Sequence, residues 1–178
     1  RFALAVALIF GVLTPAPSSA DAITIGVAYD LGGRGDKSFN DATAAGLEKA
    51  KKSLDFDVEA VVTDGTSEDR DKRIRNLISK KCALIIAVGA GYGPTLQVLA
   101  FEFPDTQFAI INDASVAAVN VSSIIFAETQ GAYLAGFSAA QISQTGKVAM
   151  IANTNQADLF KNGFSAGVLA SKKKVIPI

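Results

Sequence analysis

The sequence predicts an α/β protein built on a doubly wound parallel sheet. Three observations carry this prediction. Short apolar runs alternate with amphipathic stretches along most of the chain. The runs are apolar throughout instead of at every second residue, as strands covered on both faces require. Gly, Asp and Pro fall between runs and stretches, so each run stays as short as a strand.

Taken in order, Ile23 to Tyr29 (ITIGVAY) reads as the first strand, ending at Asp30 and a glycine-rich turn. Ser38 to Ser53 carries Phe39, Ala42, Ala45, Leu47 and Ala50 at roughly helical spacing. Ser38 is its expected cap, with Asp41 as the capping-box partner. Val58 to Thr63 is a second strand, and Asp64-Gly65 turns the chain into a helix that starts at Ser67 or Asp69 and runs to Lys80, with Ile74, Leu77 and Ile78 inward. Ala83 to Val88 is a third strand. A GAGYGP turn leads to a helix over Thr95–Phe103, broken by Pro104-Asp105. Gln107–Asn112 and Asn120–Phe126 are the fourth and fifth strands. A longer helix over Thr129–Gln144 is rich in Gly and Ala, which permits close backbone packing. Lys147–Ala152, Asp158–Lys172 and the stretch from Lys174 then read as strand, helix and strand, a second βαβ series that breaks off.

The first twenty residues differ from this pattern. Phe2 to Leu13 is apolar, preceded by Arg1 and followed by TPAPSSA. Twelve helical residues span ~18 Å, short of the ~30 Å of a bilayer core. A basic start, a short apolar run, two prolines and a small-residue end have the layout of a cleaved export signal over residues 1–20. The expected organisation is therefore a signal over 1–20, a first lobe over 21–127, a crossover helix and hinge over 128–145, and the start of a second lobe over 146–178. The chain reads as a fragment with its second lobe truncated. No cysteine lies near the cleavage point, so membrane association is expected only through a partner or an unseen anchor.

Composition removes several function classes. With 17 basic and 17 acidic residues among 178, the balance gives no electrostatic case for nucleic acid. No histidine is present, which excludes a Ser-His-Asp triad or a His-ligated metal within the chain. The single cysteine, Cys82, forms no internal disulfide and reads as a packing residue. No metal ligands, cofactor or catalytic residues are assigned.

Ligands of open parallel sheets bind outside the carboxyl ends of the strands. The loops leaving those ends bring Asp30, Asp64, the Gly89-Ala90-Gly91-Tyr92-Gly93 turn and Asn112-Asp113 to one edge. Carboxylates with no basic residue assigned beside them suit hydroxyl donors such as a sugar and suit phosphate poorly. Asp30 reads either as a turn residue or as a ligand acceptor. Phe39, on the first turn of its helix, reads as core or as a ring facing the cleft. The glycine turn lacks the dinucleotide spacing GxGxxG and reads as a tight strand-to-helix turn, with Gly89 and Gly91 also expected at the ligand. Arg34-Gly35-Asp36 matches a cell-adhesion tripeptide by chance, and Asn120-Val121-Ser122 is a formal glycosylation sequon inside an expected strand.

At these residues a family resemblance appears. GVAYDLGGRGDKSFNDATAAGLEKA resembles the first motif of the basic membrane protein family, substrate-binding proteins of ABC importers whose better-understood members bind purine nucleosides. FAIINDA, NVSSIIFAETQGAYLAGFSAA, GKVAMIAN and FKNGFSAGV agree with it, so the resemblance runs from about Ile23 to Val168. It implies two lobes of the periplasmic-binding-protein type I fold with ligand between them. It further implies that Asp30 and Asn40 hydrogen-bond a nucleoside, that Phe39 stacks on the base, and that Asp113 meets the ribose or base edge. Base-on-aromatic stacking contributes ~1–3 kcal/mol in nucleic-acid systems.

The expectation is thus an exported, non-enzymatic receptor with a nucleoside ligand and an ABC permease as partners. The alternative is a nucleoside- or sugar-processing enzyme on a similar sheet, since such sheets host many chemistries. A sugar-responsive transcription regulator would need a DNA-binding motif where the signal-like segment stands.

Overall fold

In the computed structural model the described residues are 23–151, 157–174 and 176–177. The expected export signal lies outside them. The strands β1 (Thr24–Tyr29), β2 (Asp57–Val62), β3 (Leu84–Val88), β4 (Gln107–Ile111) and β5 (Val121–Ile124) pair in the order β2-β1-β3-β4-β5, every pair parallel. Between them run α1 (Phe39–Ala50), α2 (Ser67–Ser79) and α3 (Gly93–Glu102). The doubly wound sheet expected from the sequence is present. Because β2 and β3 leave β1 on opposite sides, the topological switch point lies between β1 and β3, and a ligand crevice belongs at their carboxyl ends.

Alternation along the strands sorts the core onto two faces. Val27 and Tyr29 of β1 join Val88 beneath Ala44 and Leu47 of α1. Ala28 points the other way and joins Ile85, Ala87, Phe108 and Ile110 beneath Ile74 and Leu77 of α2 and Leu96 and Leu99 of α3. Burying each of those Leu and Ile side chains contributes about 1.5–3 kcal/mol. Cys82 is buried in this second cluster, and burial pushes its thiol up.

Asn120 ties the end of α3 to the sheet. Its buried Nδ2 donates to the carbonyls of Ala100 (3.1 Å), Phe103 (3.2 Å) and Thr106 (2.9 Å). Of these, the Ala100 carbonyl belongs to the last turn of α3, where a helix terminus leaves carbonyls unpaired. The formal sequon therefore falls on an anchoring residue.

α4 (Glu128–Ile142) packs lengthwise on α5 (Ala157–Ala170). Ala132, Gly136 and Ala140 of α4 face Phe164 and Val168 of α5. The backbones nearly touch: a Cβ on Gly136 would run into the Phe164 carbonyl oxygen, and one on Gly167 into that of Tyr133. Small residues do here what the sequence predicts of them. A second, two-stranded parallel sheet pairs β6 (Lys147–Val148) with β7 (Ile176–Pro177). Of the strand expected over Lys147–Ala152, only Lys147 and Val148 pair among the described residues, and Ala152 lies outside them. Among the described residues no helix is long and apolar enough to cross a membrane.

Candidate ligand-binding site

The loop from β1 to α1 is held by side chains from within itself. Gly33 donates to the Asp30 carbonyl at 3.0 Å, and Gly32, Gly33, Gly35 and Lys37 adopt positive φ. Asn40, only 2% exposed, closes the turn from the helix side. Its Oδ1 accepts from the Asp30 amide at 3.0 Å, and its Nδ2 donates to the carbonyls of Gly33 (3.0 Å) and Asp30 (3.3 Å). The carboxamide expected to meet a ligand is thus engaged with the loop that carries Asp30.

The cap of α1 differs from expectation. Ser38 makes no side-chain cap bond. Asp36 takes that role, accepting from the amides of Ser38 (2.8 Å), Asn40 (3.0 Å) and Asp41 (3.1 Å). Partial desolvation pushes the Asp36 carboxyl up, but these amides together outweigh it and hold it below its usual range. Asp41 accepts from the Gly35 and Lys37 amides at 2.7 and 2.9 Å, and Arg34 pairs with Glu48 at 2.9 Å. The Arg34-Gly35-Asp36 tripeptide is spent on local structure.

At the switch point Asp30 has a basic neighbour, contrary to the expectation of unaccompanied carboxylates. Arg70, on the first turn of α2, reaches Asp30 Oδ1 with Nη2 at 2.9 Å and donates from Nη1 to the Gly65 carbonyl at 2.6 Å. Its guanidinium carbon stands 5.4 Å from the centre of the Tyr92 ring. Tyr92 is buried and donates its hydroxyl to the Tyr29 carbonyl at 3.0 Å. Burial foremost, with the Asp30 carboxylate adding, pushes its phenol well above the ordinary range.

The glycine turn between β3 and α3 threads among these charges. A Cβ on Gly89 would lie 2.7 Å from Asp30 Oδ2, one on Gly91 2.7 Å from Arg70 Nη2, and one on Gly93 against Asp113 Oδ2. Each alternate glycine makes room for one charged side chain. The Gly-x-Gly-x-Gly spacing, expected as a tight strand-to-helix turn, matches that fit.

Beyond the turn, Asp113 lines a cleft of about 460 Å³ with Ala90, Asn112, Phe126, Glu128 and Leu159. Asp113 Oδ1 accepts from the Ser115 amide at 2.6 Å. Phe39 is 38% exposed, and its ring lies 5.8 Å from that of Phe126, tilted by 46°. Phe39 is therefore not a core residue. Phe126 joins the Phe39 ring to the Asp113 cleft, and Ala90 adjoins the glycine that flanks Asp30. Asp64 lies elsewhere: it accepts from the Thr66 amide and hydroxyl at 2.9 and 2.7 Å and borders a separate hollow of about 210 Å³ with Glu68 and Asp69. The edge thus offers partly exposed carboxylate acceptors, an exposed aromatic pair and apolar walls, which suit a planar ring bearing hydroxyl or N–H donors.

Arg70, Phe126 and Glu128 are not among the expected site residues, and Tyr92 is expected there only as part of the glycine turn. Phe126 ends an expected strand and so was already placed at this edge. Arg70 lies one helical turn beyond the Asp64-Gly65 turn, also at the carboxyl side.

Comparison with known proteins agrees with this architecture. Residues 23–176 match the family model described as ABC transporter substrate-binding protein PnrA-like. An uncharacterised lipoprotein of Pyrococcus abyssi is 35% identical over 126 residues, covering 69% of this chain and 31% of the relative. Basic membrane protein A of Borreliella burgdorferi is 30% identical over 147 residues, 79% of this chain and 42% of the relative. A solved solute-binding protein of an ABC transporter system from Aeropyrum pernix superposes with a TM-score of 0.73 at 27% identity, covering 88% of this chain and 47% of that one. The chain thus spans less than half the length of each of these proteins, and over that part it has the periplasmic-binding-protein type I fold. Family and solved neighbour alike are solute-binding proteins, and this chain belongs to the basic membrane protein family of PnrA-like ABC transporter substrate-binding proteins.

Proposed function

We propose that the protein is an extracytoplasmic receptor that binds a purine nucleoside between two α/β lobes and delivers it to an ABC permease. The observation that carries this reading is the exposed Phe39 ring, set against Phe126 at the sheet edge that also presents Asp30 and Asp113. A purine stacks on the ring while ribose hydroxyls or base N–H groups donate to the carboxylates. In this reading residues 21–127 supply one wall, residues 128–145 the hinge, and the segment from 146 begins the opposite wall, so closure is a hinge motion. The family's transporter membership supports the permease partner, and the lipoprotein relative supports a place in the periplasm or at the outer face of the cell membrane.

Calorimetric titration of the complete protein with adenosine, guanosine, inosine, ribose and free bases tests the reading. Micromolar or tighter binding of a nucleoside without turnover is expected. Release of free base would instead make the protein an enzyme. Phe39→Ala is expected to weaken nucleoside binding at least about tenfold, or about 1.4 kcal/mol, with the fold intact. Unchanged affinity would remove Phe39 from the site.

A further inference from the structure

Asp30 and Arg70 form an ion pair that is open on one side only. The Arg70 side chain is 14% exposed, whereas that of Asp30 is 37% exposed. The cation lies inside and the anion faces out. Arg70 is fixed from four directions: Nη2 on Asp30 Oδ1, Nη1 on the Gly65 carbonyl, the Tyr92 ring alongside, and the Cβ-less Gly91 against Nη2. Its Nε is enclosed without an acceptor among the described residues, so the guanidinium is strongly desolvated. A desolvated guanidinium grips its carboxylate more firmly than a surface one. Tyr92 ties the arrangement to the strand, since its hydroxyl bonds the carbonyl of Tyr29, the residue before Asp30.

We propose that Arg70 is a positioning residue for ligand recognition, holding Asp30 by Oδ1 so that Oδ2, beside Gly89, is the oxygen presented to a donor on the ligand. This rests on the nucleoside-receptor reading and adds to it a preference. With its charge already matched from within, Asp30 favours a neutral hydroxyl or N–H donor over a cation. Lysine at position 70 would supply a point charge without the second, forked contact to Gly65, and so would hold the carboxylate less well.

The test is a double-mutant cycle in the complete protein, with inosine and guanosine as probes. Arg70→Met and Asp30→Asn are each expected to weaken binding about tenfold or more. The double variant should bind no more weakly than the weaker single, because Arg70 acts through Asp30. Arg70→Lys should recover part of the loss. Losses that multiply would overturn the proposal and leave Arg70 a structural residue only. If Arg70→Met does not fold, Arg70→Lys and Gly91→Ala, which crowds the guanidinium from the other side, carry the same cycle. If the wild-type protein binds neither probe, the nucleoside reading fails on its own. The positioning role is then decided by crystal structures of ligand-free wild-type and Arg70→Met protein. The Asp30 carboxylate is expected to leave its place beside Gly89 in the variant; an unmoved carboxylate would refute the role.

Discussion

Replacing Asn40 should cost more stability than any contact with a small ligand could account for. The side chain is buried and serves the Asp30 amide, the Gly33 carbonyl and the Asp30 carbonyl. In Asn40→Ala the Asp30 carbonyl keeps its bond from the Gly33 amide, but the Asp30 amide and the Gly33 carbonyl lose these partners. Each such group costs about 1–3 kcal/mol when left unpaired, so the expected loss is about 2–4 kcal/mol once some water reaches the exposed loop. Asn40→Asp keeps the shape but turns a double donor into an acceptor facing two carbonyl oxygens. At neutral pH it should be the more damaging change. Its carboxyl would titrate above the unfolded value in the folded state. The extra penalty is therefore absent below about pH 3.9 and grows as the pH rises through the folded value. Urea unfolding of both variants, with a shifted midpoint and an unchanged slope, measures the loss. Asn40→Ala within about 0.5 kcal/mol of wild type, the range of an ordinary surface substitution, would refute the anchoring role. So would Asn40→Asp proving the more stable of the two at neutral pH.

Two further outcomes follow from the packing and the charges. Gly167→Ala should destabilise by about 1–3 kcal/mol or more, because its Cβ meets the Tyr133 carbonyl and α5 must move off α4; wild-type thermal stability in that variant would contradict the helix contact. Stability should fall below about pH 4, because Asp69 is held below its usual range, foremost by the Asp64 amide and also by Arg73, and Asp36 is held low as well. A carboxyl lowered in the folded state contributes above its unfolded value, and that contribution is lost as pH falls through the folded value. Asp69→Asn should flatten the acid limb of a melting-temperature profile, and an unaltered limb would count against this.

The sheet was legible because strands buried on two faces must be apolar without interruption, and the runs around Val27, Ile86 and Ile110 leave no other use for themselves. The exposure of the Phe39 ring was legible from its place on the first turn of a helix, between polar neighbours. The cap was misread because Ser38 satisfies the local rule, while the positive-φ turn at Gly35 and Lys37 swings Asp36 onto three amides first. Arg70 was missed for a different reason. Its partner is forty residues away, and only the crossing of α2 over the sheet brings the two together. The glycine turn lay between these cases: its spacing was visible, but its meaning required knowing which side chains it faces.

The anchoring of Asn120 bears on how the protein could be produced. In a host that attaches glycans to Asn-x-Ser, the nascent chain would be offered for modification before α3 has docked. A sugar on Nδ2 cannot coexist with its bonds to Ala100, Phe103 and Thr106. Folding and glycosylation would compete for the same nitrogen, and the glycosylated fraction would lack the latch between α3 and β5. Ser122 is exposed on the edge strand, so Ser122→Ala would abolish the sequon while leaving the latch intact.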